Sequence, residues 1–183
     1  MYLGVEEGGV IRTRDKGKTF EVLNHGIYTD VHNLVVDPHE SRRLYATTGR
    51  GFYRSDNAGS SWQFITRGIG KPYTVPLLVH PIRAGIVYIA GAAGPPPTWF
   101  IGANGADATM FVSRDFGESF ETSGNEEEPM RGMVMKMVQS VDHSDEIFGV
   151  TTDGAVLRST DRGETFKTFA SNLPPAYSVV ALP

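Results

Sequence analysis

The stretch RSTDRGETF, residues 158–166, decides the fold, because near-copies of it stand at three other places. RTRDKGKTF occupies 12–20, RSDNAGSSW 54–62 and VSRDFGESF 112–120. All four fit Ser/Thr-x-Asp-x-Gly-x-x-Phe/Trp, called the box below. Its members are Thr13, Asp15, Gly17 and Phe20; Ser55, Asn57, Gly59 and Trp62; Ser113, Asp115, Gly117 and Phe120; and Ser159, Asp161, Gly163 and Phe166. The third position falls at 15, 57, 115 and 161. A period of about 40–45 residues is the length of one four-stranded propeller blade.

The flanks repeat too. Each box is preceded by two β-rich runs, such as RLYATT and GFYRS, and followed by a third, such as SWQFIT. A further apolar run then opens the next unit: VHNLVVDP, YTVPLLVHP, MVMKMVQS and YSVVALP. These runs are short, rich in Val, Ile, Tyr, Phe and Thr, and bounded by turn residues, so they read as strands. Labelled B, C, D and A in that order, they place every box at a C–D hairpin. There, glycine is free to take positive φ, and the Ser/Thr and Asp side chains can bond backbone N–H groups that the turn leaves unpaired. Asn57 keeps the acceptor oxygen without the charge, which points to a structural role for the boxes.

The prediction is a single all-β domain over 1–183, a β-propeller of four-stranded antiparallel blades with four blades per chain. One blade is split across the termini, 1–24 and 176–183, and the others span about 30–67, 73–124 and 131–170. Pairing the first and last strands would protect two exposed edges. Three arrangements satisfy the count: a small closed ring, half of a ring that a homodimer completes, or a piece of a longer protein.

The four boxes and their flanks resemble the Asp-box, or BNR, repeat of sialidases, xyloglucanase-type glycosidases, sortilin-type receptors and photosystem assembly propellers. The resemblance spans essentially the whole chain. It implies the propeller fold, and a ligand face opposite the boxes. It does not choose a function, since one repeat serves enzymes, receptors and assembly factors.

In a propeller meander, B–C and D–A connections share one face, so the candidate site is sought there. The B–C loops are 6–9, 48–51, 91–109 and 152–154, and the third is far longer than the rest. It reads GAAGPPPTWFIGANGADAT, with Trp99 and Phe100 after three prolines, then Asn104 and Asp107. Long loops in compact repeats are usually functional. An aromatic platform beside polar groups suits a sugar ring or a peptide side chain, and the bland alternative is that the pair packs the insert onto the ring. Arg50, Arg67, Arg131 and Tyr28 complete the candidate ligand-binding set, with the acidic run Glu126, Glu127 and Glu128 nearby. Tyr28, Tyr73 and Tyr177 recur just before strand A, which suggests blade packing.

A net charge of −4 gives no electrostatic footprint for nucleic acid. No apolar run approaches the length of a membrane helix. There are no cysteines, so disulfides and thiolate metal sites are excluded. No charged and apolar leader precedes the first strand, which suggests a cytoplasmic protein. The five histidines, at 25, 32, 39, 80 and 143, lack metal-ligand spacing, so no metal and no cofactor are expected.

A sialidase-like site would need clustered arginines that grip a carboxylate. No matching arginine signature is present, and HPIRAG at 80–85 sits on an A–B turn. A glycosidase needs two suitably spaced carboxylates, for which Glu6, Glu7, Asp30, Asp107 and Asp153 are candidates. The preferred reading is non-catalytic binding of a glycan or protein. A glycoside hydrolase and an assembly or scaffold factor are the alternatives.

Overall fold

A computed structural model describes residues 1–101, 103–125 and 129–182. The chain folds as an all-β propeller built from consecutive antiparallel sheets. The first sheet holds β1 (Tyr2–Val5), β2 (Gly9–Arg12) and β3 (Glu21–Val22). The second is β4 (Val31–Val36), β5 (Leu44–Thr48), β6 (Gly51–Ser55) and β7 (Gln63–Ile65), in that spatial order. The third is β8 (Tyr73–Val79), β9 (Val87–Ala92), β10 (Thr109–Ser113) and β11 (Glu121–Thr122). Short β12 (Gly124–Asn125) runs parallel to the last strand of the fourth sheet. That sheet is β13 (Val134–Gln139), β14 (Ile147–Thr151), β15 (Val156–Ser159) and β16 (Thr165–Ala170). Strands β4, β8 and β13 are therefore the innermost strands A.

The boxes form the hairpins expected of them. In each, the first Ser/Thr hydroxyl accepts from the glycine N–H, at 2.8 Å in Thr13–Gly17 and 2.9 Å in Ser55–Gly59. The Asp or Asn oxygen accepts the N–H four residues on, at 2.9 Å from Thr19 and Ser61. Lys16, Ala58, Phe116 and Arg162 take φ of 59–63°, and the glycine after each is also left-handed. A second hydroxyl, outside the pattern read from the sequence, closes every box: Thr19, Ser61, Ser119 and Thr165. Three of these donate to a carboxylate. Ser61 instead accepts from Asn57 Nδ2, so the same geometry survives without the charge.

Hydrogen bonds from Thr19 hold the Asp15 carboxyl down at about 2. Asp115 and Asp161 are pushed up by burial, but the hydrogen bonds from Ser119 and Thr165 outweigh it and leave both below the ordinary value. A carboxylate lowered on folding stabilises the protein above its unfolded pKa, about 3.9. That contribution is lost as pH falls through the folded value. Stability is therefore expected to fall between pH about 4 and about 2, as read by thermal unfolding. Asp115→Asn should change it by under about 1 kcal/mol at pH 7 and make the acid loss shallower, because the second box already works with Asn57.

The core lies between the blades. One apolar layer joins Val10 and Leu23 to Leu44, Tyr53 and Trp62. The next joins Tyr45 and Phe52 to Leu77, Ile89 and Phe120. The third joins Tyr88 and Met110 to Met137, Ile147 and Phe166. Strands β5, β6 and β9 are buried along their whole length because a blade covers each side. The box aromatic thus packs on the preceding blade rather than on its own hairpin. The box glycine packs there too: a Cβ on Gly59 would meet Leu23, on Gly117 Phe52, and on Gly163 Tyr88. The carbonyl just before the glycine also accepts from that preceding blade. Ala58 O receives Arg12 Nη1 at 2.9 Å, Phe116 O receives Arg54 Nη1 at 3.1 Å, and Arg162 O receives Tyr88 Oη at 3.1 Å.

The first box has no preceding blade. Phe20 is 49% exposed, against 1–7% for Trp62, Phe120 and Phe166. Residues 176–182 carry no strand, so the expected pairing of the termini is not made and the first sheet keeps three strands. Strand β4 packs beside β1 and β8, and β13 beside β8, but β1 and β13 do not meet in this way. The blades make an arc with two open ends, and a closed four-blade ring within one chain is not formed. Among the described residues, no apolar layer joins the first blade to the fourth.

Candidate functional site

The loops sort onto two faces as the meander requires. Box residues receive support from A–B turns: Ala58 N–H donates to Arg42 O, Phe116 N–H to Gly85 O and Arg162 N–H to Asp145 O. On the other face, B–C loops bond to D–A loops, as in Gly49 N–H to Asp30 O and Ala106 N–H to Arg131 O. The innermost strands β4, β8 and β13 each carry a register shift near this loop face, in the pairs Val31/Asn33, Thr74/Leu77 and Val134/Lys136. Such bulges re-aim side chains. In β4 the residue left unpaired is His32.

His32 was not among the residues singled out from sequence. Its ring lies 4.7 Å from that of Tyr73. Nδ1 contacts Thr74 O at 2.6 Å, and Nε2 faces Asp30 at 3.5 Å. Gly49 leaves room for this arrangement, since a Cβ there would sit 2.3 Å from Asp30 Oδ2. Beside it, the Arg50 guanidinium lies over the Tyr28 ring, 4.7 Å from its centre. Burial, with Asp30 and Glu6 nearby, pushes the Tyr73 hydroxyl up to about 12, so it stays protonated.

The long insert is folded differently from the aromatic platform expected. A 3₁₀ turn, Pro96–Phe100, drives Trp99 inward. Its Nε1 donates to Gly94 O at 2.7 Å, and its ring meets Tyr73 edge-on. Trp99 is 6% exposed among Ala92, Ala106, Ala108 and Met130. It fastens the insert to the ring, as the bland alternative held, and of the aromatic pair it is Phe100, 72% exposed, that is presented to solvent. The cluster of small residues on both sides of Trp99 was the available signal, because small side chains make room for an indole.

The remaining candidates divide. Asp107 pairs with Lys71 at 2.7 Å, across from the D–A loop. Asn104 is exposed, and its carbonyl accepts from Asp107 N–H. Arg131 donates to Ala103 O at 2.6 Å. The Arg67 side chain is exposed, while its carbonyl accepts the Phe120 N–H of the next blade. Arg50 and Arg131 each reach across to another loop, at Tyr28 and Ala103. Asp153 accepts from Thr151 Oγ1 on the last B–C turn. Tyr28 and Tyr73 pack against the interblade layers as recurrence suggested, whereas Tyr177, at the open end, is exposed. Glu126, Glu127 and Glu128 lie outside the described residues. Among the described residues, no group of three His, Asp or Glu side chains is placed to hold a metal.

What remains open on this face is a cavity of about 180 Å³ between the β6–β7 edge and the D–A loop, lined by Arg50, Phe64, Ile65, Ile69, Lys71 and Pro72. Most of its lining side chains are apolar, and of its two cations Lys71 is paired with Asp107. A second hollow of about 430 Å³ lies across the same loop, against Thr109 and Phe111.

No family model matches the chain, and no curated protein matches it. Solved structures do. An ancestral GH74 enzyme is 20% identical with a TM-score of 0.75, over 93% of this chain and 22% of its own. The GH74 xyloglucanase from Xanthomonas campestris is 13% identical with a TM-score of 0.69, over 93% and 28%. An auxiliary nutrient binding protein from Bacteroides thetaiotaomicron is 14% identical with a TM-score of 0.62, over 98% and 40%. The chain thus spans about a quarter of the length of the two enzymes. These likenesses support the propeller fold, and they include both enzymes and a binding protein.

Proposed function

We propose that the chain is a non-catalytic binding propeller whose loop face takes a protein segment carrying an apolar side chain next to a carboxylate. The observation that carries this reading is the 180 Å³ cavity lined by Phe64, Ile65 and Ile69 together with Arg50. Apolar pockets with a few convergent polar groups are the usual form of a binding site. A cation held over an aromatic ring, as Arg50 is, keeps its remaining N–H groups fixed for an anion. A glycan is the weaker fit, because burial of Trp99 withdraws the best stacking surface.

A glycoside hydrolase is the second reading, favoured by the GH74 neighbours. Against it, Asp107 is paired with Lys71 and Asp153 is bonded to Thr151. The test is binding of fluorescent peptides with Leu or Phe beside Asp, set against xyloglucan oligosaccharides. Peptide binding is expected, weakened about tenfold or more by Arg50→Ala, as suits loss of a charged hydrogen bond. Release of reducing sugar from xyloglucan, or peptide affinity indifferent to Arg50→Ala, would overturn the proposal.

A further inference from the structure

Three turns on the box face are built alike. Residues 37–43, 80–86 and 140–146 join strand A to strand B in the second, third and fourth blades. In each, the first N–H bonds to the last carbonyl: Asp37 to Arg43 at 2.9 Å, His80 to Ile86 at 3.0 Å and Ser140 to Glu146 at 2.9 Å. In each, the first side chain also caps the turn it begins. Asp37 Oδ1 accepts the His39 N–H at 2.9 Å, and Ser140 Oγ accepts the His143 N–H at 3.3 Å. Carboxylates and hydroxyls are the ordinary caps of such turns. The third blade uses an imidazole instead. His80 Nδ1 accepts from the Ile82 N–H at 3.2 Å and from the Arg83 N–H at 3.0 Å.

The same ring reaches the next blade, where Nε2 lies 3.0 Å from Ser144 O. Because Nδ1 faces two donors it holds the lone pair, so Nε2 carries the proton and donates. A neutral imidazole has one donor and one acceptor, and here both are in use. His80 is 1% exposed. An imidazolium has two donors and no acceptor. Its second N–H would point at the Ile82 and Arg83 N–H groups.

The surroundings offer little to hold that extra charge. Arg83 of the same turn pairs with Asp145 of the next turn at 3.2 Å. On the other side, His39 Nε2 lies 3.4 Å from His80 O. Gln139 Nε2 shares the Ser144 carbonyl and lies 3.5 Å from His80 Nε2. Burial, with Arg83 and His39 nearby, holds the imidazole below its ordinary value, against the opposite pull of Ser144 O and Asp145.

We infer that His80 is an acid-sensitive latch between the third and fourth blades. When Nδ1 takes a proton from solvent, the 80–83 turn opens, and its hold on the 140–146 turn is released. The direction follows from linkage. A histidine lowered on folding stabilises the closed turn fully above its unfolded value, about 6.5. That stabilisation is lost as pH falls from there through the folded value, and the open turn gains at most about tenfold per pH unit. The latch lies on the face opposite the proposed binding loops and is independent of that reading.

The test is amide hydrogen exchange of the 1–183 chain at pH about 7 and about 5.5, corrected for the intrinsic pH dependence, with the window set by the histidine value. Ile82 and Arg83 are expected to lose protection about threefold or more at the lower pH. Glu146, whose N–H bonds to His143 O within the 140–146 turn, should follow them. His80→Asp gives the third blade the cap of the second and should remove this pH dependence. Imidazole nitrogen shifts of the parent chain give a reading that needs no variant: the proton on Nε2, and a midpoint below about 6.5. A proton on Nδ1, a midpoint at or above that value, protection unchanged at Ile82 and Arg83, loss that spares Glu146, or a folded His80→Asp chain with the parent's pH dependence would each overturn the inference.

Discussion

Phe166→Ala is expected to destabilise the protein by about 3–5 kcal/mol, the usual cost of emptying a buried phenylalanine site. Phe166 is 1% exposed in the layer that joins the third and fourth blades. Its loss leaves a void between Tyr88 and Leu157 that rigid strands on both sides cannot collapse into. The same substitution at the same place in the first box should behave otherwise. Phe20 has no preceding blade to fill, so in dilute protein Phe20→Ala should cost less than about 1 kcal/mol. Denaturant unfolding of both variants reads the difference. Equal costs in dilute protein would mean that the box aromatics act inside their own hairpins, and the interblade account would be wrong.

The second large effect is expected at Gly68. It takes φ of 80°, and a Cβ there would lie 1.7 Å from the Phe120 carbonyl oxygen. The residue before it, Arg67, accepts the Phe120 N–H, so this loop is clamped to the next blade by backbone. Neither side can yield as a flexible side chain would. Left-handed strain of about 1–2 kcal/mol and overpacking of about 1–3 kcal/mol together give about 2–5 kcal/mol for Gly68→Ala. Gly70, two residues on, has open space around it. Gly70→Ala should be neutral or stabilise by up to about 1 kcal/mol by restricting the unfolded chain. Comparable losses at both positions would show that the loop, not the contact with Phe120, is what the substitution disturbs.

The hairpins were legible because their chemistry is local: Thr13, Asp15 and Gly17 meet within five residues, and the same letters recur at a blade's spacing. One more recurring letter was available and passed over, the hydroxyl of Thr19, Ser61, Ser119 and Thr165 that closes each box. Arg50 and Tyr28 were placed on the loop face by topology alone, and they do meet there. Trp99 was misread as a platform because loop composition does not say which aromatic turns inward. That choice was made by the alanines and Met130 around it, some of them distant in sequence. The place of His32 on the loop face was not read, since it depends on a bulge, a shift of register that one strand read alone does not announce. Ring closure was beyond reach for a related reason: it is a sum of small angles between blades, each set by side chains from two blades at once.

The most direct test of the account is the footprint of a bound acidic-apolar peptide, mapped by amide hydrogen exchange along the chain. Protection is expected in the loops around Tyr28, Arg50, Phe64 to Pro72 and Phe100, with the four boxes unchanged. Protection centred on residues 13–20, 55–62, 113–120 or 159–166 would contradict it, and so would a chain that binds no such peptide.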